Sequence, residues 1–288
     1  KSWRDAYPEL GDQVERIRAP RGRGIAWEGT EVWAWRDRPG CFADLLAANV
    51  AKFPEREAYV FHPGGQRLTW REVGERVQRV AAALQQVHGF AKGDRLGLLT
   101  LGCPEYVIAY LAIVSIGGIA VPVNLGLTGE GLAAQINKVQ AKALLVSPEV
   151  WAGKLDAVRA GLPSVQAVFM AGDAPPPAGT RAFAELERPG GTAPTAVAID
   201  EWDVCAISFT SGTTGAPKGT MAMHLNATGC ARNIAVAAKG LHADDINLCM
   251  PPLFHNTAVY TNFMPALLTG GTCVVMGAFA PLDAIKLI

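Results

Sequence analysis

The sequence has no surplus of either charge: 26 Lys and Arg stand against 26 Asp and Glu. It carries neither the basic stripe that neutralises nucleic-acid phosphates nor a polyacidic tail, so nucleic acid is not expected as a partner. Its six cysteines, Cys41, Cys103, Cys205, Cys230, Cys249 and Cys273, include no C-x-x-C pair and no Cys/His metal-ligand spacing. They read as reduced, mostly buried thiols of a cytoplasmic protein, and no metal-ligating side chain is expected. Long apolar runs without breakers are missing too. Residues 107–128 are interrupted by Gly117, Gly118 and Pro122, and residues 246–281 by Pro251, Pro252, His255, Asn256 and Pro265. Both are too broken to span a bilayer and read as buried helix–turn–strand units, so no transmembrane segment is expected. No hydrophobic targeting segment opens the chain, which begins Lys1-Ser2-Trp3-Arg4 without an initiator Met; processing or trimming is expected. The G-x-G-x-x-G fingerprint, the G-x-S-x-G turn and the Gly-Lys-Ser/Thr phosphate loop are all absent.

What is present is apolar bulk. Half of the 288 residues are hydrophobic, enough for one large domain or two modest ones without disulfides or metals. Residues 1–40 show no lasting period and read as an extension wrapping the surface, with Trp27, Trp33 and Trp35 as anchors. From Cys41 the pattern is regular. Phe42, Leu45, Leu46 and Val50 predict a helix that Pro54 ends, and Ala58 to Phe61 a strand that turns at Pro63-Gly64-Gly65. Thr69 and Glu72 make a capping box for a helix whose face is Val73, Val77, Val80, Leu84 and Val87, stopped by Gly89. Arg95 to Leu99 is a strand, Pro104 starts a helix that runs to Gly117-Gly118, and Ile119 to Val123 is a strand. The proline inside that strand argues for a sheet edge or an irregular end. Further units are a helix over 132–139, a strand over 143–146, a helix over 151–160 and a strand over 165–170. This alternation predicts an α/β fold of mostly parallel sheets flanked by helices. Residues 172–200, rich in Pro, Gly, Ala and Thr with one short helix near Phe183, read as a surface excursion or a subdomain seam.

The most informative stretch follows the apolar strand Val204 to Phe209. Thr210-Ser211-Gly212-Thr213-Thr214-Gly215-Ala216-Pro217-Lys218-Gly219 gathers hydroxyls, glycines and one lysine. Glycines let backbone N–H groups converge on an anion, hydroxyls add donors, and a lysine adds a mobile cation; such a set suits phosphate. A plain Ser/Thr/Gly turn is the competing reading.

The order of residues in this loop resembles the signature of the adenylate-forming superfamily, which comprises acyl-CoA synthetases, peptide-synthetase adenylation domains and firefly-type luciferases. Met223-His224-Leu225-Asn226 is similar to the family's T-H-x-N, with Met223 departing from the usual Thr. Pro252-Leu253-Phe254-His255 resembles the next motif, and Leu267 to Thr272 the helix end beyond it. On this resemblance residues 41–288 are an incomplete large N-terminal domain of such an enzyme.

The resemblance implies ATP-dependent joining of a small-molecule carboxylate to AMP, with Mg2+ on the phosphates, and then transfer to coenzyme A. Thr210, Ser211, Gly212, Thr213, Thr214, Gly215 and Lys218 would hold the outer phosphates, and Lys218 and His255 would act at the reacting groups. His255, Asn256, Thr257 and Tyr260 would line the acyl pocket; for His255 a purely capping role is the alternative. His224 is expected to begin a helix as a structural residue. The family's adenine-contacting region, ribose aspartate, hinge and C-terminal lysine have no counterpart here, so little or no turnover is expected of this chain alone. The charge-free helix after Phe254 favours a fatty or other apolar acid, which makes the parent an acyl-CoA synthetase. An amino or aryl acid, and a non-catalytic nucleotide-binding scaffold, remain the other readings. A homo-oligomer stays open.

Overall fold

The computed structural model describes residues 11–23, 28–188, 192–210, 217–235 and 240–288. The chain opens with an antiparallel hairpin of β1 (Val14–Arg18) and β2 (Glu31–Trp35). The part of residues 1–40 described here is therefore paired, because Arg16 and Arg18 meet Glu31 across the ladder and Arg16 lies over the Trp33 ring. Trp35 is buried and its indole N–H donates to Asn233 Oδ1 at 2.9 Å, whereas Trp33 is exposed. Of the three expected anchors, Trp35 is held and Trp27 lies outside the described residues.

Helix α1 (Phe42–Lys52) leads to β3 (Glu57–His62) and β4 (Arg67–Thr69), which form an antiparallel pair. Helix α2 (Trp70–Gln86) starts at the expected capping box: the Thr69 hydroxyl accepts from the Glu72 N–H, and the Thr69 N–H donates to the Glu72 carboxylate at 2.7 Å. Val73, Val77, Val80 and Leu84 are buried, but Val87 is 73% exposed, because the helix ends at Gln86 and Val87 falls in its C-cap. Then come β5 (Arg95–Leu99), α3 (Pro104–Ser115), β6 (Ile119–Pro122), α4 (Gly129–Val139), β7 (Ala143–Val146), β8 (Ala167–Met170) and β9 (Arg181–Ala182). The expected helix over 151–160 is broken: a single turn at Pro148–Val150 passes into a π turn at Trp151–Leu155 and a 3-10 turn at Asp156–Gly161. The final elements are β10 (Val204–Phe209), β11 (Gly219–Met223), α5 (His224–Arg232), β12 (Ile246–Cys249), a helical segment over 256–269, β13 (Thr272–Met276) and α6 (Pro281–Leu287).

A seven-stranded sheet has the order β11-β10-β6-β5-β7-β8-β9, and a four-stranded sheet the order β12-β13-β3-β4. Their ladders are parallel except β10–β11 and β3–β4, as the βαβ alternation requires. Strand β6 lies inside its sheet, not at an edge. Pro122 is tolerated because it is the last paired residue and β10 pairs with β6 only through Ala206 and Ala120, where no Pro122 N–H is needed.

One core joins the two sheets. Helix α3, buried from Tyr106 to Val114, fills it together with Tyr59 and Phe61 of β3, Leu96 and Leu98 of β5, and Phe263. The uncharged run around residue 107 is thus an interior helix. The alternate residues of the strands (Leu99, Val121, Leu144, Val146 and Val168) face α4 and the 148–161 segment in a second core. Among the described residues no helix is long and apolar enough to cross a membrane. Residues 192–198 lie along α2, with Gln85 exchanging hydrogen bonds with Thr195 and Gln86 bonding Ala193 and Thr192.

Candidate functional site

Strand β10 enters the donor-rich loop from the sheet interior, and the chain leaves it as β11, antiparallel to β10. The loop is therefore closed as a strand–loop–strand unit. Its base is fixed by the Thr210 N–H donating to the Lys218 carbonyl at 3.1 Å, and then by the cross-strand pairs Phe209–Gly219 and Ser208–Thr220. Gly219 is demanded by this pairing: a Cβ there would lie 2.9 Å from Cγ2 of Ile207. From outside, Lys138 at the C-terminal end of α4 donates to the Pro217 carbonyl at 2.9 Å. Ser211, Gly212, Thr213, Thr214, Gly215 and Ala216 lie outside the described residues. Lys218 is exposed and has no carboxylate partner among the described residues, so its charge is available to an anion. Among the described residues no cluster of three His, Cys, Asp or Glu could hold a metal ion.

Strand β11 passes directly into α5. At that junction Met223 supplies no side-chain cap; instead its N–H donates to Asn226 Oδ1 at 3.2 Å, so the Asn of the motif takes over the capping. His224 is fully buried. Its Nδ1 accepts from the Phe42 N–H at 3.4 Å and its ring lies 5.1 Å from the Phe42 ring, tying α5 to the start of α1. Burial pushes the His224 pKa down to about 4. Its Nε2 is buried without a hydrogen-bond partner among the described residues.

His255 follows the β12 strand and forms the N-cap of the 256–269 segment. Its Nδ1 accepts from the Thr257 N–H at 3.2 Å, so in the neutral ring Nε2 carries the proton. His255, Asn256 and Thr257 are exposed, and Tyr260 is half-buried, its phenol pushed well up by burial.

A pocket of about 280 Å3 connects these parts. Ser208, Thr220, Met221 and Ala222 of the β10–β11 pair form one wall, Asn226, Ala227 and Cys230 of α5 another, and Asn256 and Tyr260 a third. Asn256 and Tyr260 thus meet the base of the Thr210–Lys218 loop in one cavity, while His255 and Thr257 are not among its lining residues. Among the described residues no charged side chain lines the pocket. The contributions of β11 and α5 escaped the sequence reading; the usable signal was the alternation in Gly219-Thr220-Met221-Ala222-Met223, which carries few strand-forming residues.

A cavity beside the end of a sheet strand in an open α/β assembly is where this class of fold commonly holds small molecules. The comparisons name the family. A family model described as AMP-binding enzyme matches residues 46–288, and the chain belongs to that family. It is 31% identical over 248 residues to the 4-coumarate–CoA ligase CCL1 of Humulus lupulus, covering 83% of this chain and 44% of that one. It is 35% identical over 219 residues to a feruloyl-CoA synthase of Amycolatopsis sp, covering 76% and 40%. Among solved structures, the anthranilate CoA ligase AuaEII in complex with anthranoyl-AMP superposes with a TM-score of 0.79 at 27% identity, over 86% of this chain and 47% of that one. The chain spans less than half the length of these curated relatives.

Proposed function

We propose that the complete protein activates a compact aryl carboxylic acid as its acyl-adenylate and passes the acyl group to coenzyme A. The observation that carries this reading is the pocket lined by Ser208 and Thr220, the pair at the base of the loop that ends in Lys218, with no charged side chain among its described lining residues. At about 280 Å3 it lies at the small end of ligand sites, which run from about 300 to 1,000 Å3. That size suits a ring better than an extended alkyl tail. The relatives named for coumarate, ferulate and anthranilate support the same choice, which moves the reading from the fatty acid to the aryl alternative. Among the described lining residues no carboxylate would answer a substrate ammonium, so an amino acid is disfavoured.

In the proposed reaction a carboxylate oxygen attacks the α-phosphorus of ATP and pyrophosphate leaves. The sulfur of coenzyme A then bonds the acyl carbon, and AMP departs. Thr210, Lys218 and the loop between them would hold the β- and γ-phosphates, so that like charge does not repel the incoming carboxylate. Bound Mg2+ would screen the same phosphates. His255 would place its Nε2–H at the mouth of the pocket, with Asn256, Thr257 and Tyr260 around the acid. Six thiols without a disulfide support a reducing compartment, the cytoplasm. The test is acid-dependent pyrophosphate release by the complete protein with cinnamate-, benzoate- and alkanoate-class acids. Aryl acids are expected to give the highest kcat/KM; a clear preference for long alkanoates would refute the substrate class.

A further inference from the structure

We infer that Cys230 is the wall that sets how long an acid the pocket accepts. This rests on the ligase reading above. Asn226 and Cys230 stand four residues apart on α5 and so share one face. Both line the 280 Å3 pocket, and both also line a second cavity of about 480 Å3 between α5 and the β1–β2 hairpin. That second space is walled by Val14, Val32, Trp33 and Trp35, with Arg38 and Asn233 also in its lining, and like the first it lies against α5.

Of the α5 residues, Asn226 and Cys230 are the described ones that line both cavities, while Gly229 lines the second alone. Gly229 has no side chain, and a Cβ built there meets nothing within 4 Å. Next to it Cys230 contributes a single methylene and a sulfur, and its thiol makes no hydrogen bond among the described residues. Asn226, by contrast, is fixed by accepting the Met223 N–H. The thiol is thus the one adjustable part of the partition: with it in place the acid ends at α5, and with it trimmed the two spaces merge. The merged space falls well inside the usual range for drug-sized ligands, whereas the first pocket alone does not reach its lower limit. The wild-type chain is accordingly tuned to short, flat acids, and position 230 sets the length limit.

The experiment uses the complete protein with Cys230→Ala and Cys230→Phe, measuring acyl-adenylate formation with cinnamate and with para-alkoxy-extended cinnamates. Cys230→Ala should shift the kcat/KM ratio toward the extended acids by about 10-fold, and Cys230→Phe should raise KM for cinnamate by a similar factor. As a second measurement, cinnamate should slow alkylation of wild-type Cys230 by iodoacetamide under alkaline conditions, the exposed thiol being followed by mass spectrometry. Unchanged ratios in both variants, or alkylation indifferent to cinnamate in an active wild type, overturn the inference and leave the ligase reading standing. A wild type that forms no adenylate with any acid overturns both.

Discussion

Acidification should weaken this fold through one residue, His224. The ring is fully buried at the start of α5, and its pKa is lowered from 6.5 to about 4, first by burial; Asp203 and Asp44 pull it upward and Lys92 pushes it down. In the unfolded chain the same imidazole titrates near 6.5. Between these values the unfolded state takes up a proton that the folded state refuses, so stability falls as pH falls. The contribution is complete above 6.5 and exhausted below about 4. Integrated from pH 7.5 to 5.0, the loss is roughly 2 kcal/mol. The comparison variant is His224→Asn, whose amide oxygen can accept from the Phe42 N–H but does not titrate. Urea unfolding followed by tryptophan fluorescence at the two pH values gives both slopes. His88, also lowered by burial and then by Arg181, titrates in both proteins and cancels from the difference. The wild type should lose about 2 kcal/mol more than the variant over this interval. Equal losses in the two proteins would refute the assignment.

Other outcomes follow from the same geometry. Lys218→Ala in the complete protein should lower the rate of pyrophosphate release about 100-fold or more, the scale for removing a preorganised donor from developing charge; a normal rate would remove Lys218 from the phosphate site. Lys138→Met removes the donor to the Pro217 carbonyl and should raise KM for ATP about fivefold with kcat little changed, read in the same assay. Ile113→Ala in the fully buried α3 should cost about 2–5 kcal/mol in urea unfolding, because the space between the two sheets cannot collapse freely.

Much of this arrangement was legible in the sequence because local chemistry and tertiary demand agreed. The Thr69–Glu72 box, the stop at Gly117-Gly118 and the strand over 143–146 are all found as read. Where they disagreed, tertiary context won. Pro122 points to a sheet edge or an irregular strand end; the strand is interior, and the proline falls at its end, where the ladder to β10 has already stopped. The helix read over 151–160 loosens into π and 3-10 turns around Gly153 and Gly161, two residues that weaken a regular helix. Strand β11 was hidden because Gly219 and Ala222 are poor strand formers, held there by pairing with β10. Missing it hid the α5 wall of the pocket, since only the reversal at β11 brings Asn226 and Cys230 to the same cavity as Tyr260.

The order of strands also bears on how the chain is made. Tyr59 of β3 pairs with Cys273 of β13, a partner translated more than two hundred residues later. At about 5–20 residues per second, the apolar face of β3 waits roughly 10–40 s on the ribosome before its neighbour exists. During that wait only β4 can cover one of its edges. Chaperone demand and losses to aggregation in cells should therefore track the emergence of β13, and a slow codon stretch just upstream of Thr272 would lower yield without altering the final structure.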